Sequence, residues 1–88
     1  MPLIASFYGI AIYMYFDDHN PPHFHAVYGE HEAKVAISSG DVVEGSLPRR
    51  AARLVREWTL ERVPQLMDNW DRARSAKPLL TVTDLDAD

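Results

Sequence analysis

The richest group of chemically capable side chains lies between residues 21 and 37. Two alternating runs flank Gly29-Glu30 in this segment, a pattern typical of a β-hairpin. The natural register pairs His25 with Lys34, and directly paired residues share one face of a sheet. One face is therefore predicted to be apolar, with Phe24, Ala26, Ala33, Val35 and Ile37. The other face is predicted to collect four titratable residues: His23, His25, Glu32 and Lys34.

Acid–base chemistry on a phosphate fits this titratable face. Imidazoles exchange protons near neutral pH, and a nearby cation stabilises charge that develops on a phosphoryl oxygen. We therefore predict metal-independent binding or cleavage of RNA, with four catalytic residues: His23, His25, Lys34 and Arg49. Residues predicted to bind the nucleic acid or a protein partner are Tyr13, Tyr15, Glu32, Arg50 and Arg53.

Metal binding is a second function that the same face could have. His23, His25 and Glu32 supply two imidazoles and a carboxylate, which are common metal ligands. However, Lys34 is predicted directly opposite His25, and its charge disfavours a bound cation. Neighbouring residues on one face of a strand are also about 7 Å apart. We therefore predict no cofactor, and a plain polar surface cluster is the simplest alternative.

The three arginines Arg49, Arg50 and Arg53 fall at the start of a predicted helix. The helix dipole disfavours cations in the first turn, so their position suggests a clamp for a phosphate or carboxylate. Neutralisation by Asp41 and Glu44, just upstream, is the simpler interpretation.

The segment before residue 17 predicts a first hairpin across Tyr8-Gly9. Strict alternation places Leu3 on the core face and Ile4 on the opposite face. A proline-containing loop then leads to the hairpin that bears the histidines, and residues 42–44 could form a short further strand.

Helical periodicity begins at Ser46, which is available as a helix cap. Pro64 is expected to end this helix near residue 62 or 63, and a second helix is expected from about Pro64 to Ala76. Trp58 and Trp70 lie on the apolar stripes and are predicted to be core residues.

These elements predict a single α+β domain over residues 1–88. Its antiparallel sheet of three to five strands is built from two hairpins and followed by two C-terminal helices packed on one face. The acidic tail, about residues 84–88, is expected to be loose.

Composition narrows the class of protein. The net charge of −4 argues against a protein that coats DNA. The absence of cysteine excludes disulfides, thiol catalysis and cysteine-ligated zinc. No apolar run is long enough to cross a bilayer and no segment is typical of a signal peptide, so we expect a cytoplasmic protein without membrane contact.

Several short motifs occur in a specific order along the chain: His23-Phe24-His25, Leu47-Pro48-Arg49-Arg50, Val55-Arg56-Glu57-Trp58 and Asn69-Trp70. In this order they resemble a family of small prokaryotic proteins, domain of unknown function 4160. The resemblance implies the toxin-associated half of a small gene pair. It also implies a cognate, antitoxin-like partner from domain of unknown function 2442.

Three functions stay open at this point. The favoured hypothesis is a component of a toxin–antitoxin system that binds or cleaves RNA. The second is a non-enzymatic interaction module that uses the same face, with homo-oligomers possible. The third is a small metal-binding protein with histidine ligands.

Overall fold

The structure is a computed structural model that describes residues 3–16 and 19–82. Its sheet is an antiparallel meander with the strand order β1-β2-β3-β4-β5, and two helices follow it. The strands are β1 (Leu3–Phe7), β2 (Ile10–Tyr13), β3 (His23–Tyr28), β4 (His31–Ala36) and β5 (Val42–Gly45). The helices are α1 (Arg49–Leu60) and α2 (Val63–Arg74). The predicted α+β class is confirmed, whereas the predicted loose tail lies outside the described residues.

The hairpin of β3 and β4 has the predicted register. His25 is paired with Lys34, and Phe24 is paired with Val35. Phe24, Val35 and the other residues of the predicted apolar face are buried. The two faces of this hairpin are therefore assigned correctly by alternation alone.

The prediction for the start of β1 is wrong. Leu3 is 54% exposed, whereas Ile4 is only 1% exposed. The register between β1 and β2 shifts between Leu3 and Ala5, as in a β-bulge. A bulge adds one residue to one strand, so side chains beyond it change faces. A strict two-residue period cannot anticipate that change.

Trp58 of α1 is the central contact between the helices and the sheet. Its ring centroid lies 5.2 Å from that of Phe7 and 5.6 Å from that of Phe24, the latter in an edge-to-face arrangement. Trp58 is completely buried, and Trp70 is 3% exposed, so both predicted core tryptophans are confirmed. The helices thus cover the Phe24 face of the sheet.

The helix boundaries follow from the prolines. Pro48 occupies the N-cap position of α1 without a side-chain cap, so the predicted Ser46 cap is wrong. The Ser46 amide instead donates to the Glu32 carbonyl at 3.2 Å and continues the pairing of β5 with β4. Pro64 stands in the first turn of α2, where its missing N–H costs no helical hydrogen bond. The predicted break between the helices is confirmed.

The chain after α2 runs beside β1. The Val82 amide donates to the Ile4 carbonyl at 2.8 Å. The Asn69 side chain of α2 both donates to and accepts from the Leu80 backbone, each at 2.8 Å. Residues 79–82 do not form a sixth strand, but they cover part of the β1 edge. Among the described residues, no helix is long and apolar enough to cross a bilayer.

Replacing Trp58 with alanine tests its place in the core. Because the ring is fully buried between Phe7 and Phe24, we expect Trp58→Ala to lower the free energy of unfolding by about 3–5 kcal/mol. Leu60→Ala is the matched control in the same helix, because Leu60 is largely exposed, and should cost less than about 1 kcal/mol. Urea denaturation measures both, and equal losses would contradict the proposed packing.

Candidate functional site

A row of polar side chains crosses four strands on the face opposite the helices. Tyr13 is paired with His25, His25 with Lys34, and Lys34 with Glu44. His23 and Glu32 lie on the same face, two residues from members of this row. We call the surface formed by Tyr13, His23, His25, Glu32, Lys34 and Glu44 the titratable face.

His23 lies at the margin of the titratable face and is only 3% exposed. Its ring centroid is 5.4 Å from that of His25 and 5.3 Å from that of Trp70 in α2. The expectation that this whole face is open is therefore wrong at His23, because Trp70 reaches the start of β3. The Nδ1 atom of His23 is 2.8 Å from the Pro21 carbonyl oxygen. Since a carbonyl only accepts, Nδ1 carries the proton, and Nε2 is the basic nitrogen of the neutral ring.

His25 occupies the middle of the face and is half-buried. The edge of its ring meets Tyr15, with centroids 4.4 Å apart. Its Nδ1 atom is 3.7 Å from the nearer oxygen of Glu32, and these groups form an ion pair when the imidazole is protonated. Glu32 is thus placed to hold a protonated His25.

Lys34 and Glu44 form a close ion pair on the titratable face. The Lys34 Nζ atom is 3.0 Å from a Glu44 oxygen. The hydrogen bond from Lys34, and next its charge, hold the pKa of the exposed Glu44 carboxyl below its ordinary value near 4.5. The positive charges available at His23 and His25 add smaller effects in the same direction. An anion that binds Lys34 must therefore compete with Glu44.

Lys34 lines two depressions of the surface. One, of about 120 Å³, is lined by His23, Lys34 and residues of the loop that contains Pro21. The other, of about 330 Å³, is lined by His25, Lys34, Glu32 and Glu44. Both depressions therefore include Lys34, and each includes one of the two histidines.

The arginines named by the sequence do not join this group. Neither depression is lined by an arginine. Arg50 instead lines a separate cleft on the helical side of the sheet, and Arg49 precedes it in α1. The predicted neutralisation by upstream carboxylates is wrong, because Asp41 binds Arg56 at 3.2 Å and Glu44 binds Lys34.

The proposed metal ligands are not arranged as a complete site. Within residues 3–16 and 19–82, no group of three histidine, aspartate or glutamate side chains is placed to hold a metal ion. His25 and Glu32 approach each other, but as an ion pair.

The cleft around Arg50 was not predicted from the sequence. Tyr8 and Tyr28 stand at its rim, and each directly precedes a glycine in a hairpin turn. The repeated Tyr-Gly pair was the available signal, since alternate turns of a meander lie at the same end of the sheet. Buried Asn69 was also missed, because its role depends on a backbone segment eleven residues away.

The titration of Glu44 tests the electrostatics of the titratable face. Its lowered pKa means that the ion pair with Lys34 stabilises the folded protein above the unfolded pKa of Glu44 and is lost as pH falls through the lower folded value. We expect an NMR titration of the Glu44 carboxyl carbon to have its midpoint below 4.5. Lys34→Gln should move the midpoint up towards the ordinary value, and an unchanged midpoint would exclude the pairing.

Comparisons with known proteins complete this description. Neither the curated proteins nor the solved structures provide a match to the chain. One family model matches residues 9–71, which extend from the first hairpin turn into α2 and include the whole titratable face. The chain therefore belongs to the family described as Domain of unknown function (DUF4160).

Proposed function

We propose that the titratable face binds and cleaves RNA without a metal, as the active component of a cytoplasmic toxin–antitoxin pair. One observation carries the proposal: Lys34 lines both depressions, while His23 lines one and His25 the other. A phosphate bound at Lys34 would have His23 and His25 beside it, and the centroids of these two rings are 5.4 Å apart. The resemblance to small prokaryotic toxin-associated proteins supports the biological setting.

The geometry suggests a role for each group in phosphodiester cleavage. The Nε2 atom of His23 is buried, so RNA binding would have to expose it before it takes the proton from a 2′-hydroxyl, whose oxygen attacks the phosphorus. Protonated His25, held by Glu32, would donate a proton to the 5′-oxygen as its bond to phosphorus breaks. Lys34 would stabilise the negative charge on the phosphoryl oxygens. The products would be a 2′,3′-cyclic phosphate and a free 5′-hydroxyl.

The aromatic residues beside His25 would position the RNA. Tyr15 contacts the His25 ring, and Tyr13 is paired with His25 across the sheet. Unstacked bases bind readily to aromatic side chains in single-stranded RNA recognition. These two tyrosines would therefore hold the bases next to the reacting phosphate.

A protein-docking role for the same face is the second candidate. It is favoured by the mutual pairing of its polar groups, because Lys34 already binds Glu44 and the buried His23 donates to Pro21. A cognate antitoxin-like protein would then contact Tyr13 and Glu32 without any reaction. Binding of such a partner that is lost in His25→Ala, with no RNA cleavage by the wild type, would select this candidate.

Catalysis is tested by replacing His25. We expect His25→Ala to lower the rate of RNA cleavage by about 10²–10⁴-fold, the usual contribution of a general acid. The rate is measured with a fluorogenic RNA in the presence of EDTA, and the product ends are identified by mass spectrometry. An oligonucleotide with 2′-deoxyribose at the cleaved position should not react, because it lacks the nucleophile.

His31→Ala is the matched control for that experiment, since His31 is exposed at the start of β4 and lines neither depression. It should cleave RNA at the wild-type rate. We prefer single His25 variants to a change at His23, because His23 is buried against Trp70 and its loss should also affect stability. Cleavage by His25→Ala at the wild-type rate would rule out the proposed mechanism.

Removing the charge of Glu44 should strengthen RNA binding. Because the phosphate must replace Glu44 at Lys34, Glu44→Gln should raise the affinity for a short single-stranded RNA several-fold, whereas Lys34→Gln should lower it. Fluorescence anisotropy at fixed salt measures both variants. Asp68→Asn is the control, because it removes a carboxylate that pairs with Arg72 in α2. If Glu44→Gln and Asp68→Asn raise the affinity for RNA equally, the effect comes from the net charge of the protein and not from the pairing of Glu44 with Lys34.

A further inference from the structure

We infer that the cleft around Arg50 is a docking site for an acidic protein segment that carries one large apolar side chain. The cleft lies between the tips of the two hairpins and the first turns of α1, on the helical side of the sheet. It is a different surface from the titratable face, so the inference holds whether or not that face cleaves RNA. We call it the tyrosine cleft, after Tyr8 and Tyr28 at its rim.

The rim of the tyrosine cleft consists of two exposed aromatic rings. Tyr8 is 55% exposed and Tyr28 is 38% exposed. The ring of Tyr28 lies across Gly9, where an added Cβ atom would be 3.4 Å from a ring carbon. The Tyr28 ring therefore lies close to the backbone of the neighbouring turn. Exposed tyrosines are common anchors of protein interfaces, because they add a large contact area with few rotatable bonds.

The interior of the cleft is mainly aliphatic. Ile10 is completely buried, Ala51 is nearly so, and Leu54 of α1 forms part of the wall. The volume of about 240 Å³ is smaller than the roughly 300–1,000 Å³ of pockets that enclose a drug-sized ligand. These dimensions suit a single large side chain.

Three arginines stand on the first turns of α1, and one of them lines the cleft. Arg50 lines the cleft, and Arg49 and Arg53 are exposed on the same turns of α1. None of the three forms an ion pair with a residue in the described part of the chain, whereas Lys34 and Arg56 both do. The first turn of α1 also contains no acidic residue. Carboxylates of a partner would complement these guanidinium groups, which bind them in a bidentate manner.

These features favour a protein segment over a nucleic acid. Contacts to phosphates would need cations along an extended path, whereas the three arginines are confined to the first five residues of α1. A surface cleft with an apolar interior and Arg50 in its wall instead matches an apolar side chain flanked by aspartate or glutamate.

A peptide panel tests the inference on the intact chain. The probes are fluorescein-labelled peptides of nine residues, with aspartate and glutamate flanks and leucine, phenylalanine, tryptophan or alanine at the centre. We expect at least one large apolar centre to bind about ten-fold or more tightly than the alanine centre in fluorescence anisotropy. In ¹⁵N-resolved NMR spectra, the shifts should map to Tyr8, Gly9, Tyr28 and Arg50.

Variants of the cleft then identify its anchors. Arg50→Gln and Tyr28→Ala should each weaken binding of the best peptide by about ten-fold or more. Arg74→Gln is the matched control, because Arg74 is an exposed arginine at the end of α2 that lines no part of the cleft. It should bind the peptide like the wild type. His25→Ala should also bind normally, which separates this site from the titratable face.

Several results would overturn the inference. The first is that alanine-centred and apolar-centred peptides bind equally well. The second is that Arg50→Gln and Arg74→Gln change peptide binding equally. The third is that no peptide shows saturable binding. Tighter binding of a nine-nucleotide oligouridylate than of any peptide, with NMR shifts at the same residues, would assign the cleft to RNA instead.

Discussion

The edge-to-face contact between Phe24 and Trp58 fixes the orientation of β3, and the rest of the site depends on it. With the Phe24 ring buried against α1, alternation turns His23 and His25 towards the opposite face. A shift of one residue would exchange these positions and bury two imidazoles among apolar side chains. The hydrophobic core therefore determines which surface can carry chemistry.

The titratable face is held by cross-strand pairing and not by loops. Tyr13, His25, Lys34 and Glu44 stand opposite one another on four successive strands. Side chains placed by adjacent strands are positioned more accurately than side chains on loops. Within this row, Glu44 pairs with Lys34 at 3.0 Å. An anion that bound Lys34 would therefore have to displace this carboxylate.

Much of the fold could be predicted because local signals agreed with tertiary packing. The turn at Gly29-Glu30 fixed the register of β3 with β4, and Pro64 fixed the break between the helices. The exposure of Leu3 could not be predicted, since a bulge leaves no clear mark in a strand of five residues.

The wrong predictions about the burial of His23 and the partners of Asp41 and Glu44 have a common physical cause. The burial of His23 depends on Trp70, which is 47 residues away in sequence (70 minus 23), and the partners of Asp41 and Glu44 depend on how β5 and α1 pack. Sequence only weakly determines which charged side chains pair on a surface, because an exposed ion pair typically contributes less than about 1 kcal/mol to the free energy of folding. Candidate residues could therefore be named from their types, but their grouping required the structure.

The depressions around Lys34 and the tyrosine cleft lie on opposite faces of the sheet, near opposite ends of β3. His23 and Tyr28 are five residues apart in β3, which corresponds to about 16 Å at roughly 3.3 Å per residue. A partner segment seated in the tyrosine cleft would thus leave the depressions around Lys34 uncovered. Steric inhibition of RNA binding would require the partner to extend around the sheet, over the exposed β5 edge. A small partner that binds only the cleft would instead tether the protein while its titratable face stays accessible.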